Sequence, residues 1–213
     1  MARKPLSAKR SMAPPESGSE SGLTLIACGA LVRELLGITA QFPDGQVDLT
    51  CLPASWHNHP EKIVPGLRRK GRRLAVVYGD CGTGVEIDTF LESENVPRIP
   101  GPHCYEMYLQ QPDFDDEMER ELGTFFLTDY TVPHFERIIM QGMGLRRHPQ
   151  LRDLYFGNYT RVLYIAQTED PSFERKAMVA ADELGLAYQY RFAGFGRFTP
   201  WVTDMVATNM QGD

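Results

Sequence analysis

Cysteine and histidine residues recur along the first half of the chain, and most of them lie just after a short apolar run. Thiolate sulfur and imidazole nitrogen together favour zinc as a bound metal, with iron or an iron–sulfur cluster as the second choice. Three cysteines and one histidine would fill a tetrahedral zinc ion, and an absent ligand would leave a position for water or substrate. The candidate ligands are the thiols of Cys28, Cys81 and Cys104 and the imidazoles of His57, His59 and His103.

The segment around Cys81 has the form of a ligand-binding loop. An apolar run, residues 74–78, ends in the glycine-rich sequence GDCGTG, residues 79–84, and an acidic helical pattern follows. Buried strands of parallel sheets have this form, and their loops open at the carboxyl edge of the sheet, where ligands bind. The start of a helix stabilises a thiolate, so the loop suits a metal ligand or a nucleophile. The glycine spacing fits neither the dinucleotide fingerprint nor the Walker motif, which lacks its lysine here.

Strands and helices alternate along the chain, and this alternation predicts where the candidate cysteine and histidine ligands lie in the fold. The predicted strands cover residues 23–28, 47–53, 74–78, 96–101, 123–129, 160–170 and 186–192. With helical patterns between them, they predict an α/β fold with a doubly wound, mostly parallel sheet in three Rossmann-like layers, within a single domain, residues 23–213. Because the strand-to-helix loops of a parallel sheet share one edge, we expect the three thiols and up to three of the imidazoles to lie together there.

Polar neighbours of these ligands are candidate catalytic and binding groups. Asp80 and Glu106 are predicted to act with Cys81 as acid/base groups, although both also fit as acids at helix starts. His103 directly precedes Cys104, and adjacent loop residues do not easily point the same way, so a structural role is the alternative for this histidine. The candidate binding residues are His59, Gly82, Gly84, His103 and Tyr130.

Composition limits the class of protein. The chain has 213 residues, 42% of them hydrophobic, as in ordinary soluble proteins, and no apolar run approaches the roughly 20 residues that span a membrane. Its net charge of −6 argues against a nucleic-acid partner. Residues 1–22 lack the apolar centre of a secretory signal and predict a disordered tail. Four cysteines without such a signal indicate a reducing compartment, the cytoplasm. Cys51, within a predicted strand, is expected to be a core residue.

Five separated motifs follow one another in a fixed order, namely IACGALVREL, LPASWHNHPEKI, YGDCGTG, PHCYE and GTFFLTDY. Together they resemble the family known as domain of unknown function 1638, over about residues 23–195. The resemblance implies that Cys28, His57, Cys81 and Cys104 are the site residues. Many relatives have an aspartate where His103 stands here, so the role of His103 is left open.

The resemblance also implies a biological setting. Members of the family often accompany corrinoid proteins and methyltransferases, which implies a role in one-carbon, methylamine or betaine metabolism. A corrinoid protein or methyltransferase is the implied partner, and the corrinoid would be carried by that partner. One alternative is a thiol-dependent or redox enzyme with Cys81 as nucleophile and Cys104 or Cys28 as resolving thiol. Another is a non-catalytic accessory protein that docks through the acidic segment 113–121.

Overall fold

Three apolar runs in the first part of the chain form a parallel sheet. The structure is a computed structural model that describes residues 22–68 and 73–211. The strand β1 (Leu23–Cys28) is central, and β2 (Val47–Leu52) and β3 (Leu74–Val77) pair with its two sides. Nearly all of β1 is buried, whereas β2 at the edge is mostly half-buried. A central strand needs a continuous apolar run because helices cover both of its faces.

A helix follows each strand of this first sheet. The helix α1 (Val32–Thr39) follows β1, α2 (Ile63–Leu67) follows β2, and α3 (Glu86–Ser93) follows β3. In α3, Ile87 and Leu91 are buried, and their spacing of four places them on one face of the helix. The three strand-to-helix loops therefore lie at the carboxyl edge of the sheet.

The second half of the chain contains another parallel sheet. Its strand order is β4-β5-β6, and every residue of the central strand β5 is buried. A π-helical turn, Glu136–Gln141, lies between β4 and the helix α6. The elements of this half are α4 (Cys104–Leu109), α5 (Asp113–Arg120), β4 (Thr124–Thr128), α6 (Leu151–Phe156), β5 (Arg161–Ala166), α7 (Pro171–Leu184), β6 (Ala187–Phe192) and α8 (Phe198–Gln211).

The prediction of an α/β fold with parallel strands is confirmed, and the strands are divided between two sheets of three. Residues 96–101, predicted as a strand, contribute only an isolated parallel bridge between Val76 and Arg98. Pro97 and Pro100 flank this bridge, and proline has no backbone N–H with which to extend a ladder. The six other predicted strands correspond to β1 to β6.

The helix α8 lies late in the sequence but packs against the early strand β1. Its buried residues Phe198, Val202 and Val206 are spaced by four and lie on one face. They belong to one hydrophobic cluster with Leu25 of β1 and Leu163 of β5. Side chains of both sheets therefore share a core.

A buried ion pair joins α5 to the start of β5. The Arg161 guanidinium lies 3.0 Å from the Glu117 carboxylate, and each residue is only 3% exposed. The guanidinium also donates to the Thr124 hydroxyl at 2.7 Å and to the Glu117 carbonyl oxygen at 2.8 Å. These contacts satisfy a charge that would otherwise be costly to bury.

Two further predictions concern the ends and the surface of the molecule. The predicted tail, residues 1–22, lies outside the described residues apart from Gly22. In the described ranges, no helix combines the length and the apolar character that crossing a membrane requires. The assignment of residues 23–213 to a single domain stays a prediction.

Candidate functional site

Cys28 is the last residue of β1 and caps the turn that follows. Its sulfur accepts a hydrogen bond from the Ala30 amide at 3.4 Å, and the residue is only 3% exposed. The next residue, Gly29, lies against the following strand, where a Cβ atom would come within 2.8 Å of the Leu52 carbonyl oxygen. Glycine is therefore needed there to let the loop after β1 approach the loop after β2.

His57 comes from the loop after β2, in the 3-10 turn Ala54–Asn58. Its Nδ1 lies 2.8 Å from the Ala54 carbonyl oxygen, which accepts its hydrogen, and 3.9 Å from the Cys28 sulfur. Hydrogen bonding to the Cys81 side chain raises the pKa of His57, and the charge of that thiol raises it further against the opposing effect of burial. The imidazole thus interacts with thiols from two different loops.

Cys81 lies in the loop after β3 and has a left-handed backbone, with φ of 48°. This conformation is disfavoured for residues other than glycine, and such strain is concentrated at functional sites. The glycines on either side of Thr83 also have positive φ, 87° at Gly82 and 58° at Gly84. The Asp80 carboxylate accepts hydrogen bonds from both glycine amides, at 2.8 and 3.0 Å. Asp80, predicted as an acid/base group, is therefore engaged in holding the loop that presents Cys81.

Cys104 is brought to the same edge by a close approach of two loops. A Cβ atom on Gly79 would lie 2.8 Å from the His103 Cα, so glycine is required at this contact. The Asp80 amide donates to the Pro102 carbonyl oxygen at 2.7 Å. Cys104 follows as the first residue of α4 and is half-buried.

The thiols of the site interact electrostatically. Burial raises the pKa of Cys104 above its ordinary range, and the charges of Cys81 and then Cys28 raise it further. Burial also raises the pKa of Cys28 to about 11. Cys51 lies within β2 and packs against the core, as expected. Burial raises the pKa of Cys51 to about 11, and the charge of Cys28 makes a smaller contribution to this rise. The structure therefore brings near one another the thiols from the end of β1, the loop after β3 and the start of α4, with His57 from the loop after β2 among them.

The donor set of Cys28, His57, Cys81 and Cys104 fits a soft transition metal in chemistry. Three sulfurs and one imidazole are ligands that zinc and iron favour. Within the described ranges, however, no three histidine, cysteine, aspartate or glutamate side chains are arranged as a ready metal site.

Comparison with known proteins identifies the chain at the family level. The sequence profile of the family described as "Protein of unknown function (DUF1638)" matches residues 51–202. The chain belongs to this family. In this DUF1638 protein the matched range contains His57, Cys81 and Cys104, whereas Cys28 precedes it. No curated protein and no solved structure matches the chain.

Two other predicted site residues of this DUF1638 protein are engaged with the fold. The Nδ1 atom of His103 accepts a hydrogen bond from the Glu106 amide at 3.3 Å and so caps α4, while its ring packs edge-on against Phe114. Burial lowers the pKa of His103, so the ring remains a neutral acceptor. The Glu106 carboxylate is 4% exposed and lies 2.9 Å from the Arg197 guanidinium, which it holds at the start of α8.

The remaining predicted binding residues lie at different depths. His59 is exposed, and its Nδ1 is 3.3 Å from the carboxylate of Glu61, which is also exposed. Tyr130 follows β4, and its ring lies against that of His134 with centroids 4.8 Å apart. Burial raises the pKa of Tyr130, and the charge of Cys28 adds to the rise.

Two buried polar residues near the site were not predicted from the sequence. Tyr78 follows β3, is fully buried, and stacks on His57 with ring centroids 6.3 Å apart. Glu34 in α1 is 3% exposed, and burial raises its pKa. The sequence could have indicated the burial of Glu34, because this residue is three positions after Leu31 and four before Ile38 and so lies on the apolar face of the helix. For Tyr78, the signal was a hydroxyl at the end of an otherwise apolar strand.

Proposed function

We propose that this DUF1638 protein binds a soft transition-metal ion, zinc first and iron or an iron–sulfur cluster second, through Cys28, His57, Cys81 and Cys104. The observation that carries the proposal is the position of His57, which contacts the Cys28 sulfur at 3.9 Å and hydrogen-bonds to Cys81. Cys104 at the start of α4 supplies a third sulfur to the same region. Sulfur with imidazole is the ligand set of zinc and iron sites.

The surroundings of the four ligands support a catalytic role for this ion rather than a purely structural one. Cys81 is half-buried and His57 reaches the solvent-facing side of the site, whereas Cys28 is buried. Zinc held by all four residues would have no open position, so its Lewis-acid chemistry would act on a water or thiol that replaces one of these ligands. Cys28 would hold the ion from the buried side. The Ala54 carbonyl oxygen, which accepts the Nδ1 hydrogen of His57, would keep the imidazole ring in its present orientation.

Metal analysis of the anaerobically purified full chain tests the proposal. We expect about one equivalent of zinc or iron in the wild type, and a large loss in Cys28→Ser, Cys81→Ser and Cys104→Ser, because each removes one ligand. Cys51→Ser is the matched control, since it removes a cysteine outside the ligand set and should retain the metal. An absorption spectrum separates coloured iron centres from colourless zinc. Less than about a third of an equivalent of any transition metal in the wild type would overturn the proposal.

A second candidate is thiol chemistry at Cys81, and one observation favours it. The Cys81 thiol pairs with His57, whose raised pKa favours the imidazolium that stabilises a neighbouring thiolate. Cys28 and Cys104 are the resolving candidates, although burial raises the pKa of each. In metal-free protein at neutral pH, iodoacetamide should label Cys81 much faster than Cys51, as peptide mapping would measure. Equal labelling rates would reject this candidate.

We further propose that the protein serves a corrinoid-linked methyltransferase system. The support is the resemblance described above and the exposed acidic face of α5, where Asp113, Asp115 and Asp116 surround the helix start. A charged face of this kind suits a basic partner surface. Binding of the purified protein to a corrinoid protein and to its methyltransferase, measured at micromolar concentrations in low salt, tests this role. Absence of binding to both would reject it.

A further inference from the structure

The strand β6 forms an open edge of the second sheet. It pairs with β5 on one side, and in the part of the chain that the structure describes no strand pairs with its other side. Four of its six residues are exposed, whereas β1 to β5 consist entirely of buried and half-buried residues. The edge of β6 is therefore accessible to another chain.

Every second residue of β6 directs its backbone groups toward this open edge. The Ala187 amide donates to the Thr160 carbonyl oxygen at 3.1 Å, so the odd-numbered residues of β6 direct their backbone groups toward β5. Because successive residues of a strand alternate, the N–H and C=O groups of Tyr188, Tyr190 and Phe192 point to the open edge. Within residues 22–68 and 73–211, no hydrogen bond satisfies these groups.

The strand β6 also lacks the features that usually keep such an edge from pairing. Natural edge strands are protected by proline, by lysine, by a β-bulge or by a covering segment. The sequence of β6, AYQYRF, contains neither proline nor lysine, and its pairing with β5 has no bulge. Its single charge, on Arg191, lies 3.4 Å from the Asp113 carboxylate. The rings of Tyr190 and Phe192 are exposed, as is Met178 of the helix α7 that packs on this strand.

The sequence of β6 is complementary to a second copy of itself. When two antiparallel strands are related by a two-fold axis, residues that lie opposite one another share a face of the sheet. A pairing centred on Tyr190 would place this residue opposite Tyr190 of the second copy and Tyr188 opposite Phe192, and would bond all their outward backbone groups. The same pairing places Arg191 opposite Gln189 rather than opposite another arginine. Cross-strand aromatic pairs are stabilising, and directly opposed like charges are destabilising.

We propose that the protein forms a symmetric homodimer in which the β6 strands of two copies pair antiparallel about Tyr190 and join their second sheets into one continuous sheet. A second copy of this chain is the occupant that the edge fits, because the two-fold register bonds every outward backbone group and opposes no like charges. The proposal is independent of the metal-binding function, since none of the four proposed ligands lies in the second sheet.

Sedimentation velocity of the full chain, measured over a range of concentrations, tests the proposal. We expect the wild type to be a dimer that dissociates on dilution. Tyr190→Lys and Tyr190→Glu should each raise the dissociation constant by about tenfold or more, because each removes an aromatic pair and sets like charges opposite one another. An equal mixture of the two variants should restore the dimer, because the two-fold axis then sets lysine opposite glutamate.

Tyr155→Lys is the matched control. Tyr155 is as exposed as Tyr190, at 41%, but it lies in α6 and not at the edge of β6. This variant should leave the dissociation constant unchanged. Hydrogen–deuterium exchange of the wild type keeps the proposal testable if the variants at position 190 do not fold. The amides of Tyr188, Tyr190 and Phe192 should exchange faster as the protein is diluted, because dissociation exposes them to water.

Several results would overturn the proposal. One is a wild type that remains monomeric up to about 100 micromolar. Another is a dimer that Tyr190→Lys weakens no more than Tyr155→Lys does, since that dimer would use a different surface. Failure of the mixed charge variants to dimerise, with both folded by circular dichroism, would exclude the register about Tyr190. Slow exchange of the three amides at every dilution would show that another segment of the same chain covers the edge.

Discussion

The strained backbone of Cys81 leads to a prediction about stability. With φ of 48°, this residue has a conformation that disfavours any side chain with a Cβ by roughly 1–2 kcal/mol. Cys81→Gly removes that strain but gives the unfolded chain more freedom, which offsets roughly 0.4–1 kcal/mol of the gain. Cys81→Ala removes the thiol and its interaction with His57 in the same way, yet keeps the Cβ. We therefore expect the glycine variant to exceed the alanine variant by about 1 kcal/mol in free energy of unfolding.

Thermal and urea unfolding of the two variants measure this difference. For a chain of this size, about 1 kcal/mol corresponds to roughly 2–4 °C in Tm. The pair Gln110→Gly and Gln110→Ala is a positive control, because Gln110 is exposed and also has positive φ, 63°. If glycine stabilises position 110 but Cys81→Gly is no more stable than Cys81→Ala, then the loop of Cys81 stores no strain and the reasoning fails.

Three further predictions concern buried or structural charges. Arg161→Met should lower the free energy of unfolding by about 3 kcal/mol in urea, because it removes the buried one of the two guanidinium groups that pair with the Glu117 carboxylate and leaves only the exposed Arg120, and a second change, Glu117→Met, should restore most of that loss; a double variant as unstable as the single one would contradict this. Burial raises the pKa of Glu34 above its ordinary value of 4.5, so the folded state binds more protons than the unfolded state just above that pH. The stability of the wild type should therefore fall relative to that of Glu34→Gln as pH rises from 4.5 to 7. If the Tm values of the two proteins change with pH in the same way, the pKa of Glu34 is not raised by burial. Asp80→Ala should lose about 1–3 kcal/mol through the two amide hydrogen bonds of its loop, and Asp80→Asn less, whereas wild-type Tm in both variants would exclude this role.

The strands of the fold could be predicted from sequence because burial on both faces requires a continuous apolar run. The predicted boundaries of β1 agree with the structure, and those of β2 and β3 differ by one residue. Residues 96–101 were wrongly predicted as a strand because the apolar content of the run masked the effect of its two prolines. The division into two sheets depends on strand pairing across the whole chain, which local sequence does not encode.

For the candidate site, the sequence predicts which loops contribute residues but not which side chains contact one another. The alternation of strands and helices predicted the edge on which Cys28, His57 and Cys81 lie, because parallel topology determines where such loops lie. Cys104 reaches this edge through the close approach of Gly79 to His103, not through a strand of its own. The use of Glu106 could not be anticipated, since its partner Arg197 is distant in sequence. Local polar patterns suggest candidate acids, but the folded structure determines which of them are already paired.

The helix α8 has a consequence for how the protein is made. It supplies Phe198, Val202 and Val206 to the cluster that contains β1, and near its end Asn209 accepts a hydrogen bond from Arg73, just before β3. Synthesis proceeds from the amino terminus, so α8 is made after the strands of both sheets. The first sheet, although its strands are made early, is consequently completed only when α8 packs on it, and nascent chains must keep part of its apolar surface uncovered until this helix has emerged.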